Sequence, residues 1–95
     1  MTMPTASRET KICNQLGLHA RPAMQFVDAA NQFQSQVTVY KGGEEPAEAD
    51  GKSVMQMIIL AATEGTPLRI EASGEDANAA VDTLVNLVEG KFGEE

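Results

Sequence analysis

The only histidine of this 95-residue chain lies in the stretch Leu16-Gly17-Leu18-His19-Ala20-Arg21-Pro22-Ala23. It stands between a glycine-containing loop and the start of a helical hydrophobic pattern. Such a junction suits an anion. The first amides of a helix point outward without intrahelical partners, and the helix dipole is positive there. A phosphoryl group at that end is stabilised by both effects. Arg21 adds a planar guanidinium that can grip phosphate oxygens at two points. Gly17 lets the chain approach with no side chain in the way. A neutral imidazole nitrogen is a nucleophile near pH 7, which makes His19 a candidate phosphoryl acceptor and Arg21 its stabiliser. Transfer of such a group depends on positioning and charge, so neither a resident metal nor a cofactor is expected. On position alone, a cap or a plain surface residue is the commoner role for a histidine here.

Ser53 is the second residue of interest. Ser53-Val54-Met55-Gln56 has the form of a capping box, in which the hydroxyl accepts from the Gln56 amide and the glutamine side chain reaches back. The helix it opens is apolar almost all round. A short helix on a sheet buries one side only. Met57, Leu60 and Ala61 are assigned to the core, which leaves Met55 and Ile58, with Val54 beside them, toward solvent. Together with Ala20 and Met24 they would make an exposed apolar patch, the usual mark of a partner surface.

The elements that must position these groups follow from periodicity. Glu9 to Asn14 reads as a first strand and 14–18 as a loop. From His19 the period becomes helical for about three turns, with Ala20, Ala23, Met24, Val27, Ala29 and Ala30 on one side. Pro22 falls in the first turn, where a missing N–H costs little. Gln36 to Lys41 alternates as a half-buried strand, and Gly42-Gly43 signals a hairpin. Glu44 to Asp50 is acidic and contains Pro46, so a strand there is short and at an edge. The Ser53 helix runs to about Ala62. Leu68 to Ser73 alternates again after a Gly65-Thr66-Pro67 turn. Glu75 to Glu89 is helical, with Ala77, Ala80, Val81, Leu84, Val85 and Val88 inward and Gly90 as its stop. The order βαββαβα predicts an α+β fold, three helices on one face of a four-stranded antiparallel sheet. Residues 1–7 read as a flexible tail and 8–92 as one domain.

Composition narrows the function. Fourteen acidic against seven basic side chains give a net charge of −7. That argues against nucleic acid and against an anionic membrane surface, and for protein partners with basic patches. The single cysteine, Cys13, allows no internal disulfide and no cysteine-rich zinc site, which fits a reducing, cytoplasmic setting. No signal peptide is visible, and the longest apolar run, Met57 to Ala62, is too short to span a bilayer.

Gly17-Leu18-His19-Ala20-Arg21-Pro22-Ala23 resembles the active-site signature of the HPr family, the phosphocarriers of the bacterial phosphoenolpyruvate:sugar phosphotransferase system. Gly51-Lys52-Ser53-Val54-Met55 resembles the regulatory serine motif of that family. Glu64-Gly65-Thr66-Pro67-Leu68 and Gly74-Glu75-Asp76-Ala77 are family-like too, so the resemblance spans residues 8–90. It implies an open-faced β-sandwich. It also implies that His19 accepts a phosphoryl group from phosphorylated enzyme I through Nδ1 and passes it to a IIA-type domain or related regulator. Arg21 would steady the phosphate, with Gly17, Ala20 and Pro22 shaping the loop and helix start. Ser53 would be the target of HPr kinase/phosphorylase, and Met24, Val54, Met55 and Ile58 would meet the partners. Such a protein is a monomer and a stoichiometric carrier rather than a turnover enzyme. The alternative is a regulatory binding protein of the same fold, in a nitrogen branch or as a transcription co-regulator. An unrelated ferredoxin-like module, with His19 only a cap, is disfavoured by the paired motifs. One departure stands out: Gly42 to Asp50 is longer and more acidic than the usual hairpin of the family.

Overall fold

A computed structural model of the protein describes residues 4–93. Its elements are β1 (Thr5–Lys11), α1 (Ala20–Ala30), β2 (Gln36–Lys41), β3 (Ala47–Asp50), α2 (Val54–Leu60), β4 (Pro67–Ser73) and α3 (Ala77–Glu89), with a short 3-10 turn at Lys91–Gly93. The four strands form one antiparallel sheet in the order β1-β4-β2-β3. The βαββαβα order and the open-faced sandwich are as expected.

Alternation decides which face is covered. Val37 and Val39 of β2 and Leu68, Ile70 and Ala72 of β4 are buried, and Ile70 stands opposite Val39 in the register. Helix α3 rests on β1 and β4, α2 on β3, and α1 packs against both α2 and α3. The core is aliphatic but for Phe26 and Phe92. The six positions of α3 read as inward are all buried. The other sheet face stays open and polar, where the Arg69 guanidinium lies 4.0 Å from the Tyr40 ring centroid.

Three elements differ from expectation by two residues or more, each for a local reason. The first strand begins at Thr5, not Glu9, and stops at Lys11, so Ile12 to Asn14 lie beyond it. Three residues of the expected tail thus belong to the sheet: Thr5, Ala6 and Ser7 pair with Ser73, Ala72 and Glu71. Residues 1–3 lie outside the described residues. The strand shows no hydrophobic alternation because its inward positions meet the polar flank of α3. Arg8 donates to Asp82 at 2.8 Å and the Thr10 hydroxyl to Glu89 at 3.0 Å.

The second helix ends at Leu60 rather than Ala62. Ala61 takes a left-handed conformation, φ 54°, and Lys41 Nζ donates to the Leu60 carbonyl at 2.8 Å. Ala61 is consequently exposed rather than in the core, and Ala62 is buried in its place. At the other end Ser53 Oγ accepts from the Gln56 amide at 3.2 Å, as the capping pattern requires. The glutamine reaches further back than expected, accepting from the Asp50 amide at 2.8 Å.

The third helix starts at Ala77, not Glu75. Asp76 turns its carboxylate toward the segment after α1. It accepts from the Gln34 amide at 2.8 Å, the Ser35 amide at 3.0 Å and the Ser35 hydroxyl. Gly74 makes this approach feasible, since a Cβ there would sit 2.5 Å from Ser35 Oγ. The Ser35 hydroxyl, with the two amides, holds the Asp76 carboxyl below its ordinary value of 3.8. A depressed folded-state pKa adds stability that is present above the ordinary carboxylate range and is lost as pH falls through the lowered folded value. Asp76→Asn should therefore lower the urea midpoint near pH 7, with the gap to wild type narrowing as pH falls through the lowered folded value. Urea unfolding across that range measures it.

Candidate functional site

His19 is the N-cap residue of α1, with extended backbone angles (φ −82°, ψ −169°). Its side chain is half-buried and makes no capping bond to its own helix. Its carbonyl accepts the Ala23 amide at 2.9 Å, which starts the helical ladder. The amides of Ala20 and Arg21 precede that bond and are open-ended in the helix, while Pro22 has none to offer. No acidic residue occupies the first turn of α1. Nothing in that turn therefore offsets the positive end of the dipole, and the exposed Arg21 adds to it.

The loop before His19 is drawn tight. Gly17 adopts φ +71°, and a Cβ on it would lie 2.6 Å from the Ala62 carbonyl oxygen and 3.0 Å from Thr63 Cα. The adjacent Leu18 amide donates to that same Ala62 oxygen at 2.8 Å. The connector between α2 and β4 thus forms the floor on which the His19 loop rests. Gly17 is required twice over, by its left-handed φ and by this close approach.

The structure brings Gly17, His19, Ala20, Arg21 and Pro22 together at one end of α1. Ser53 heads α2, which packs against α1. The apolar face assigned to α2 is outward: Met55 is 68% and Ile58 38% exposed, with Met24 of α1 at 53%. Val54 is less available than expected, being half-buried and packed against the core. The sequence reading missed two further exposed apolar side chains, Ile59 of this face at 72% and Leu16 of the loop before α1 at 73% exposure. Ile59 was within reach of periodicity, since Met55, Ile58 and Ile59 stand at i, i+3 and i+4 on one helix face. Leu16 had no such signal, because a loop has no period. Asn14 stood at the join of the expected first strand and the loop, and its complete burial appears only in the structure.

Among the described residues no grouping of three or more His, Cys, Asp or Glu is placed to hold a metal ion. Cys13 is half-buried just past β1, its thiol donating to the Lys11 carbonyl at 3.3 Å. Among the described residues no helix is long and apolar enough to cross a membrane.

An open-faced βαββαβα sandwich with one histidine and an arginine at a bare helix start is the architecture of a histidine phosphocarrier. The chain belongs to the HPr family: its residues 6–90 match the family described as the PTS HPr component phosphorylation site. It is 43% identical over 91 residues to phosphocarrier protein NPr of Proteus mirabilis, covering 96% of this chain and 99% of that one. Among solved structures it is similar to HPr-C-His from Thermoanaerobacter tengcongensis, with a TM-score of 0.85, 38% identity and coverage of 95% and 98% of the two chains. It is also similar to the HPr dimer from the same organism, with a TM-score of 0.71, 39% identity and coverage of 90% and 94%.

Gly17→Ala should destabilise the protein by about 2 kcal/mol or more, from the left-handed backbone and the crowding against Ala62 together. Equilibrium urea unfolding checks it.

Proposed function

We propose that this protein carries a phosphoryl group on His19, taking it from phosphorylated enzyme I and passing it to IIA-type domains or related regulators. The observation that carries the reading is the placement of the chain's only histidine at the open N-terminus of α1, with Arg21 two residues on. In the forward step the lone pair of Nδ1 attacks phosphorus. The bond from phosphorus to the donor breaks, and its electron pair stays with the donor. The ring now bears the phosphoryl group, whose charge is met by the α1 amides and by Arg21. Transfer to an acceptor is the same exchange in reverse. The protein is then a stoichiometric acceptor and donor, not a turnover enzyme, acting as a single chain in the cytoplasm. The Thermoanaerobacter dimer makes the oligomeric state a separate measurement.

Partners meet the exposed face of Met24, Met55 and Ile58, which Ile59 enlarges, with Val54 at its margin. Ser53 lies at the head of this face. A phosphoryl group placed there by HPr kinase/phosphorylase would act through charge and bulk on docking, beside the carboxylate of Asp50. A nitrogen-regulatory branch is the second reading: one relative is named NPr, while relatives of equal identity are named HPr.

The test is an intact-mass measurement after mixing the protein with phosphoenolpyruvate, magnesium and an active cognate enzyme I. One added phosphoryl group, removed by brief acid and absent in His19→Ala, is the expected result. No added group on the wild-type chain would sink the proposal and leave a regulatory binder of this fold. Arg21→Glu should keep its fold and accept the group at least about tenfold more slowly, because a charge-assisted contact becomes a repulsion. Rapid-quench kinetics decides that; an unchanged rate removes Arg21 from the site.

A further inference from the structure

Two polar side chains are fully sealed from solvent among the described residues, Asn14 and Ser35. Ser35 serves the Asp76 clamp at the start of α3. Asn14 serves the loop that carries His19. Its side-chain amide donates to the Gly17 carbonyl at 2.8 Å, and its own carbonyl accepts the Gly17 amide at 3.2 Å. Both polar groups of Gly17 are therefore held by one residue.

The Gly17–Leu18 peptide is gripped at both edges. Its carbonyl takes the Asn14 side chain, and its N–H takes the Ala62 oxygen at 2.8 Å. Leu18 is buried in the core, and the next residue is His19, whose carbonyl begins α1. Downstream, the helix fixes His19. Upstream, a glycine next to an exposed loop would leave the peptide free to rotate, and the Asn14 amide removes that freedom. An apolar side chain of similar size could fill the space, but it would leave the buried Gly17 oxygen without this donor.

We propose that Asn14 is a positioning residue for His19: its amide fixes the Gly17–Leu18 peptide and so sets the direction in which the imidazole meets an incoming phosphorus atom. The proposal rests on the reading of His19 as the acceptor. In-line transfer is sensitive to aim, and a displacement of about 1 Å can cost about a hundredfold in rate.

The test compares the wild-type chain with Asn14→Ala and Asn14→Asp; the second keeps the size but offers no N–H at pH 7. Each is examined by thermal unfolding, by NMR titration of the His19 ring without any donor, and by single-turnover phosphorylation with phosphorylated enzyme I. The expected result is a folded variant whose rate at saturating donor falls by about tenfold or more, with half-saturation changed by less than about twofold. The His19 resonances or their titration should move with it. A folded variant with wild-type rate and ring titration would falsify the proposal. So would a loss confined to half-saturation, or the failure of both variants to fold, which would make Asn14 a stability residue. If the wild-type chain is never phosphorylated, the acceptor reading fails instead, and the donor-free ring titration still decides whether Asn14 positions His19.

Discussion

The Ala62 carbonyl holds the His19 end of the molecule together. It accepts the Leu18 amide at 2.8 Å and lies where a Cβ on Gly17 would be. Ala62 can reach that position because Ala61 ends α2 in a left-handed turn and Lys41 ties down the last carbonyl of the helix. The loop before α1, the end of α2 and the second strand are thus one assembly. The face proposed to receive partners and the histidine proposed to receive phosphate are joined by a few backbone bonds rather than by a flexible link.

The rest of the fold keeps that assembly in place by ordinary means. An aliphatic core with few aromatics depends on close interdigitation, and the helix faces of β2 and β4 supply branched residues and one alanine, Ala72, for it. Polar side chains are spent at element junctions. Lys52 Nζ donates to the Phe33 carbonyl at 2.7 Å, and Asp76 gathers Gln34 and Ser35. Each closes a turn that hydrophobic burial alone would leave loose.

What was legible in the sequence followed period and punctuation. α1, β2, β4 and α3 carry regular apolar faces, and each was placed within two residues or so of where it lies. β1 was misplaced because its inner face is polar and its partners, Asp82 and Glu89, come more than seventy residues later. No local pattern announces a pairing of that range. The candidate site was readable as a constellation of types, His19 with Arg21 after Gly17, but not as a geometry. The burial of Asn14 and the close approach of Gly17 to Ala62 depend on α2 ending where it does, which periodicity placed slightly too late.

The open sheet has two free edges, β1 and β3, and β3 is short, follows Pro46 and bears Glu48 and Asp50, with Glu44 and Glu45 exposed in the hairpin before it. A second copy approaching β3 to β3 meets carboxylates with carboxylates. The acidic hairpin is therefore a colloidal feature as much as a structural one: like charges along this edge oppose its pairing with the same edge of another copy.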